Sequence, residues 1–271
     1  MKKVNLEAMS IAERSDYKRQ QFYKFLPFFS VVLLICLWMF ASGKNPNFPS
    51  PVQVWDRFLL IMQKPIKDKT IFGHVLASLN RVFIALIIAW ILGIGFGILT
   101  GWSRKAYALL NPMFTAFRSV PPLAWIPLIT ICFGTGEAPK VLLVFIGSIA
   151  SVAVNTQAGM STVNKMYLDV GTIFHASDRQ KLFYIAIPSA LDAIFAGLRT
   201  STSAAWMVVL AAEMLGGKSG VGFLITRGMD SMDYSLCLLS MVFIGVVGYL
   251  LAILMQLLER MICPWTRKRS N

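Results

Sequence analysis

Acidic residues are scarce in this chain: 13 Asp and Glu stand against 26 Lys and Arg in 271 residues. Charged residues of both signs make up 14%, well below the roughly one quarter usual for a soluble domain. Histidine occurs only twice, at His74 and His175. No HExxH, GxSxG or paired-carboxylate pattern accompanies either, which argues against an enzyme. The four cysteines, Cys36, Cys132, Cys237 and Cys263, form no CxxC pair, which argues against a disulfide framework or a zinc site and leaves them as small packing residues. The one fragment of a phosphate loop, Gly217-Lys218-Ser219, has Ala212 where the first glycine belongs and follows an apolar helix instead of a strand. The chain thus carries no recognisable ATPase of its own.

Apolar sequence takes the place of what is missing, with 56% of the residues hydrophobic. A helix crossing a bilayer takes about 20 apolar residues, and six candidate spans follow: 25–42, 82–101, 106–134, 138–158, 191–215 and 235–259. The third is too long for one straight crossing and contains Pro121, Pro122 and Pro127. It reads as a broken helix, tolerated where protein or water satisfies the freed backbone groups. Gly93, Gly97 and Gly101 recur at intervals of four, which lets helix backbones approach closely. The fold class is therefore all-α and polytopic. Residues 1–24 read as a cytoplasmic tail without a cleavable signal, 25–262 as a six-helix transmembrane domain, and 263–271 as a basic cytoplasmic tail. Within the domain, 52–63 reads as a surface helix with Val52, Trp55, Phe58, Leu59 and Met62 on one face.

The net charge of +13 reads as membrane topology and not as a nucleic-acid surface. Lys2, Lys3, Arg14, Lys18, Arg19, Lys24, Arg104, Lys105, Arg267, Lys268 and Arg269 flank the spans on one side, as cytoplasmic basic residues do. Both termini then lie inside, although Lys44, Arg57, Lys64, Lys67 and Lys69 crowd the first outer loop.

Ionisable groups at membrane depth are expensive and point to function. Arg118 sits just before the proline break, either as a contact for an anionic solute or as a tether for the kink. Glu213 lies near the outer end of the fifth span, where a local pair is favoured over a pathway role. With Pro121 and Pro122 these two are the candidate pathway residues. Arg81 and Asp192 lie near interfaces and receive no role.

The stretch 160–190 is longer than the two to eight residues typical of helix–helix connections. Leu168, Ile173, Phe174, Leu182, Phe183 and Ile185 gather on helical faces, while Asp169, Asp178, Arg179 and Lys181 stay solvated. An amphipathic element of this kind fits a partner's groove.

At this loop the sequence resembles the permease subunits of bacterial binding-protein-dependent ABC importers. Their pattern is Glu-Ala-Ala, then Gly, then Leu-Pro. Asp169 stands at the Glu place, Gly171 at the second Ala, and His175 at the Gly, followed by Ala176 and Ser177; Ile187-Pro188 takes the Leu-Pro place. Gly is favoured wherever φ is positive, so His175 departs from the pattern at a turn. FPSPVQVW, FRSVPPLAWIPLITICFGTGEAPKVLL, GLRTSTSAAWMVVLAAEMLGGKSGVGFLI and ERMICPW resemble the nitrate/sulfonate/taurine branch, and the resemblance covers 48–265. It implies a type I importer permease (MetI-like) fold and a homodimer in the bacterial inner membrane. It also implies two ATPase subunits that bind ATP-Mg in place of any cofactor in this chain, and an extracytoplasmic solute-binding protein. The loop 160–190 would then be the ATPase-coupling element, with Phe174 and Leu182 as its contacts. Sulfonates, taurine, nitrate, bicarbonate and pyrimidine precursors all fit as substrates. A secondary transporter or channel without an ATPase is the competing reading; it predicts inverted repeats or acidic relays in the membrane, and neither is found.

Overall fold

The computed structural model describes residues 11–45 and 47–264, with no β-strand among them. In chain order the helices are α1 (Ile11–Lys44), α2 (Pro51–Gln63), α3 (Ile71–Trp102), α4 (Arg104–Ser119), α5 (Ile126–Phe133), α6 (Glu137–Ser161), α7 (Lys165–Ile173), α8 (Asp178–Gln180), α9 (Ile187–Met214), α10 (Val221–Asp230) and α11 (Tyr234–Ile262). A π-helical turn, Lys181–Ala186, joins α8 to α9, so that Asp178–Met214 runs on as one long helix. That run, α3, α6 and α11 are long and apolar enough to cross a membrane.

The proline break is where the sequence places it. α4 ends at Ser119, Pro122–Trp125 forms a 3-10 turn, and Pro127 sits in the first turn of α5. The two halves are bent by 87°. Length and composition thus give four spans, or five with the bent pair counted as one, where six were predicted. The remaining predicted span falls in α1, whose apolar part, Phe28–Lys44, is shorter than the others. Two predicted boundaries also move. α3 begins at Ile71 and not at 82, and the fifth span begins at Asp178 and not at 191. Polar residues inside both helices hid these starts from an apolar count. The predicted tail 1–24 continues from Ile11 as part of α1, while its residues 1–10, and residues 265–271 of the predicted C-terminal tail, lie outside the described residues.

Small side chains set the core. α3 lies against α6 along Gly93, Gly97 and Gly101: a Cβ at Gly97 would fall 2.5 Å from Thr156 Cβ and 2.7 Å from the Ala153 carbonyl. α6 meets α9 in the same way, where a Cβ on Gly159 would fall 2.6 Å from Ala193 Cβ. Such approaches are how helices associate where lipid offers no hydrophobic driving force between them. Ala85, Val144, Ala205 and Val209 close the seam among the three helices.

α2 forms as predicted but turns the other way. Its Ser50 capping box and Pro51 start it. Val54 and Ile61 are buried, with Phe58 partly so, whereas Val52, Trp55, Leu59 and Met62 face outward. Of the cysteines, Cys237 and Cys263 are buried packing residues, while Cys36 and Cys132 are exposed.

The helices alternate in direction, so their connections collect at two ends. One end holds the start of α3, the turn 134–136 and the segment 215–233. The other holds 102–104, the loop 162–177 and the end of α11.

The close seam yields a prediction. Gly97→Ala should lower the stability of the detergent-solubilised chain by about 1–3 kcal/mol, the cost of overpacking a tight core. Gly95→Ala should cost nothing, because a Cβ there meets nothing within 4 Å. Equal melting temperatures for the two variants would remove the glycine seam as a determinant of the fold.

Candidate functional site

At the first end lies a buried charge network. His74, Ser78 and Arg81 share one face of α3 at spacings of four and three, which α-helical geometry brings into line. Glu213 is wholly buried near the end of α9. Arg81 Nη1 meets Glu213 Oε1 at 2.6 Å and the Ser219 carbonyl at 3.0 Å. Nη2 donates to Ser219 Oγ at 2.7 Å, and Nε and Nη2 together grip both oxygens of Glu137 at the start of α6. All five guanidinium donors are therefore engaged. Glu213 Oε2 accepts from Ser78 Oγ at 2.9 Å and from the Gly222 N–H at 3.0 Å. His74 completes the set: Nδ1 accepts from the Gly220 N–H, which leaves the ring proton on Nε2 to be donated to the Ile66 carbonyl.

This arrangement ties α3, α6, α9 and the turn 215–222 into one unit. Each buried charge is paired and hydrogen-bonded, as burial demands. Glycines make the fit. Gly220 has φ +113° and touches the Glu213 carboxylate so closely that no Cβ has room, and Gly222 approaches the Leu210 carbonyl in the same way. The fragment Gly217-Lys218-Ser219 thus belongs to a turn that holds Arg81.

One expectation changes here. Arg81 is the hub of the network and not an unremarked interface residue. Glu213 points into the bundle with both oxygens occupied, which is the local pair that the sequence favours over a pathway role. Arg118 lies in the last turn of α4, exposed and without a hydrogen bond or ion pair among the described residues. Pro121 is exposed at the bend and Pro122 packs near Gly147 of α6.

At the opposite end lies the predicted loop. Asn164 caps α7 through the Met166 N–H. α7 ends in a Schellman motif, with the His175 N–H on the Thr172 carbonyl and the Ala176 N–H on the Gly171 carbonyl. His175 therefore occupies the left-handed C′ position, at φ +55°, which explains physically why Gly is expected there. Ser177 then starts α8 through a capping box with Gln180. Gly171 is buried because a Cβ would fall 2.9 Å from Ile185 Cδ1.

The apolar residues divide between two faces. Leu182 and Ile185 turn inward, Leu182 against the cluster around Met160 and Ala186. Ile173, Phe174, Phe183 and Tyr184 turn outward, Phe174 and Tyr184 each 79% exposed. Between Tyr167, Val170, Tyr184, Ile185 and Pro188 opens a groove of about 490 Å³. Asp169 and Ser177 are exposed beside it, and Ala176 is half-buried. Leu182 therefore anchors the loop, and Phe183 takes the surface position assigned to it. The Arg199 guanidinium on α9, 3.0 Å from Glu259, ties this half of the bundle to α11.

Comparison with known proteins gives consistent matches. Residues 93–268 fit the family described as binding-protein-dependent transport system inner membrane component. The chain is 33% identical over 248 residues to the nitrate import permease protein NrtB of Synechocystis sp., covering 89% of this chain and 90% of that one. It is 33% identical over 238 residues to the taurine transport system permease protein TauC of Escherichia coli, covering 86% of each. The bicarbonate transport system permease protein CmpB of Synechococcus elongatus is 31% identical over 246 residues, 88% of each. Among solved structures, the MetNI methionine ABC transporter in inward-facing conformations matches with a TM-score of 0.61 at 16% identity, over 70% of this chain and 94% of that one. An amino acid ABC transporter matches with a TM-score of 0.61 at 18% identity, over 75% and 98%.

The network carries a prediction of its own. Glu213→Ala strips Arg81 of one buried partner and should destabilise the solubilised chain by about 3–5 kcal/mol. The double variant Arg81→Met with Glu213→Met should cost clearly less than the sum of its single changes. Strict additivity in melting experiments would mean the two charges are not coupled.

Proposed function

Since this chain belongs to the family of binding-protein-dependent transport system inner membrane components, and is the permease subunit of an ABC importer and not an enzyme, we propose that it imports a small oxyanion or zwitterion of the nitrate, bicarbonate or sulfonate class. A permease of this kind works with an ATPase and a solute-binding protein. In our reading two copies of the chain form the channel, two ATPase subunits bind ATP-Mg beneath the loop 160–190, and both termini lie on that cytoplasmic side. The substrate class rests on what the three relatives carry according to their names. A second copy answers a physical need: α4 buries none of its residues in the single chain, yet it bears Arg118 and Ser119 at membrane depth, where lipid is a poor solvent for them.

The observation that carries the coupling assignment is the apolar rim Ile173, Phe174, Phe183 and Tyr184 beside an open groove. Soluble surfaces seldom present so many large apolar groups together without a partner. The binding protein delivers its solute at the end of the bundle that holds the charge network. ATP binding closes the two ATPase subunits and moves the loop. Because α8, the π turn and α9 are one continuous helix, the displacement passes directly to the spans and turns them from inward- to outward-facing. Hydrolysis resets them. The Arg118 guanidinium, free at the bend between α4 and α5, is the pathway contact for the anion.

Two tests follow. Phe174→Asp with Phe183→Asp should abolish co-purification of the ATPase while leaving the permease folded, since both side chains are exposed. A wild-type chain that brings down no ATPase would overturn the coupling assignment. In the reconstituted complex, Arg118→Ala should reduce anion uptake by about tenfold or more, the size of a lost charge-assisted hydrogen bond. Uptake at the wild-type rate would remove Arg118 from the pathway.

A further inference from the structure

A second basic residue of the network end is not closed off as Arg81 is. Lys140, in the first turns of α6, has a side chain only 7% exposed. Its ammonium makes one hydrogen bond among the described residues, 3.0 Å to Glu137 Oε1. That oxygen already receives Arg81 Nη2 at 3.0 Å. Two of the three ammonium donors are therefore open in a buried position, where an unmet polar group is costly.

Lys140 lines a cavity of about 420 Å³ among α5, α6 and the end of α9, with the turns at Gly134–Gly136 and Leu215–Gly216 around its mouth. That is within the range of small-molecule sites. Its floor is apolar: Ile129, Leu143 and Ala212. The polar side chains at its wall can all donate. Thr130 and Thr135 line it with hydroxyls that make no hydrogen bond among the described residues. Trp125, packed on the same apolar cluster, has a buried indole N–H without a partner among the described residues. No Asp or Glu among the described residues lines the cavity. Within the network the charges of Arg81 and Lys140 are balanced by Glu137 and Glu213, so nothing there repels an arriving anion by net charge. A compact group with several acceptor oxygens and negative charge is the ligand that matches a buried ammonium, two hydroxyls and an apolar floor.

We propose that this cavity is a receiving vestibule for the transported oxyanion at the extracytoplasmic end of the permease, with the Lys140 ammonium as its counter-charge. The assignment rests on the proposed function and adds the place where the solute first meets the permease. An anionic lipid headgroup offers the same oxygens, so the test separates the two sources.

The full complex of permease, ATPase and binding protein is reconstituted into phosphatidylcholine vesicles, with and without phosphatidylglycerol, and uptake of labelled nitrate, bicarbonate and taurine is measured. Lys140→Met should reduce import by about tenfold or more in both kinds of vesicle, and Lys140→Arg should restore most of it. The double variant Lys140→Met with Glu137→Gln restores the charge balance of the network and should still fail to import. Recovery in that variant would make Lys140 a structural counter-ion only and overturn the vestibule. Undiminished import by Lys140→Met would overturn it as well. A loss confined to vesicles with phosphatidylglycerol would assign the cavity to lipid. Should Lys140→Met not assemble with the ATPase, Thr130→Val with Thr135→Val carries the test, both positions being exposed, and unchanged import by that pair overturns the proposal. A wild-type complex that imports none of the three solutes would instead defeat the substrate class itself, and the vestibule with it.

Discussion

Everything at one end of this molecule depends on the cost of burying a guanidinium among packed helices. Arg81 is almost wholly enclosed on α3, and a buried charge left unpaired is expensive. The chain meets this cost by bringing Glu213 from α9, Glu137 from α6 and Ser219 from the following turn to a single side chain. Because every donor is engaged, the three helices cannot shift independently without leaving a buried charge unpaired. A pair of this kind contributes less to net stability than to fixing one arrangement, since its desolvation offsets much of its attraction. The close glycine seam between α3 and α6 acts in the same sense, because backbones that touch leave no room for alternative registers.

α9 connects this fixed end to the end that holds the loop 162–177. Its last turn holds Glu213 in the network, its middle is tied to α11 through Arg199 and Glu259, and its start continues through the π turn into the loop. π turns widen a helix locally and often sit where function needs it. In the proposed mechanism this one helix receives a displacement at its wide, partly exposed start and pivots about its locked end. The Schellman turn at His175 serves the same purpose on a smaller scale, since it reverses the chain sharply enough for α8 to follow α7 while Phe174 stays outside.

In the proposed mechanism, the division between closed and open polar groups separates structure from transport along the chain. Arg81 has no donor left for a ligand, whereas Lys140 and Arg118 do. Burial alone would have ranked Arg81 and Glu213 first as pathway residues, because intramembrane charge is the usual sign of function. The count of remaining donors reverses that order.

Much of this was legible in the amino-acid sequence. The interval of four among Gly93, Gly97 and Gly101, the prolines at 121 and 122, and the amphipathic loop all encode local geometry, and each appears where the pattern puts it, while the apolar runs give the spans but not all of their starts. The stripe His74, Ser78 and Arg81 and the glycines around Glu213 were also present in the sequence. An apolar window that began the span at 82 cut the stripe away, and one that closed the fifth span at 215 left those glycines outside it. Which way α2 turns, and whether Leu182 or Phe183 faces outward, could not be read from spacing, since both faces of each element are apolar. Nor could spacing join residues as far apart as Arg81, Glu137 and Glu213. The sequence by itself determined which segments are helices and that they reside in a membrane, because hydropathy and periodicity are properties of neighbours in the chain. Only the tertiary structure decided which charges are closed into the bundle and which stay open, because that depends on groups meeting across helices to exhaust one another's hydrogen bonds.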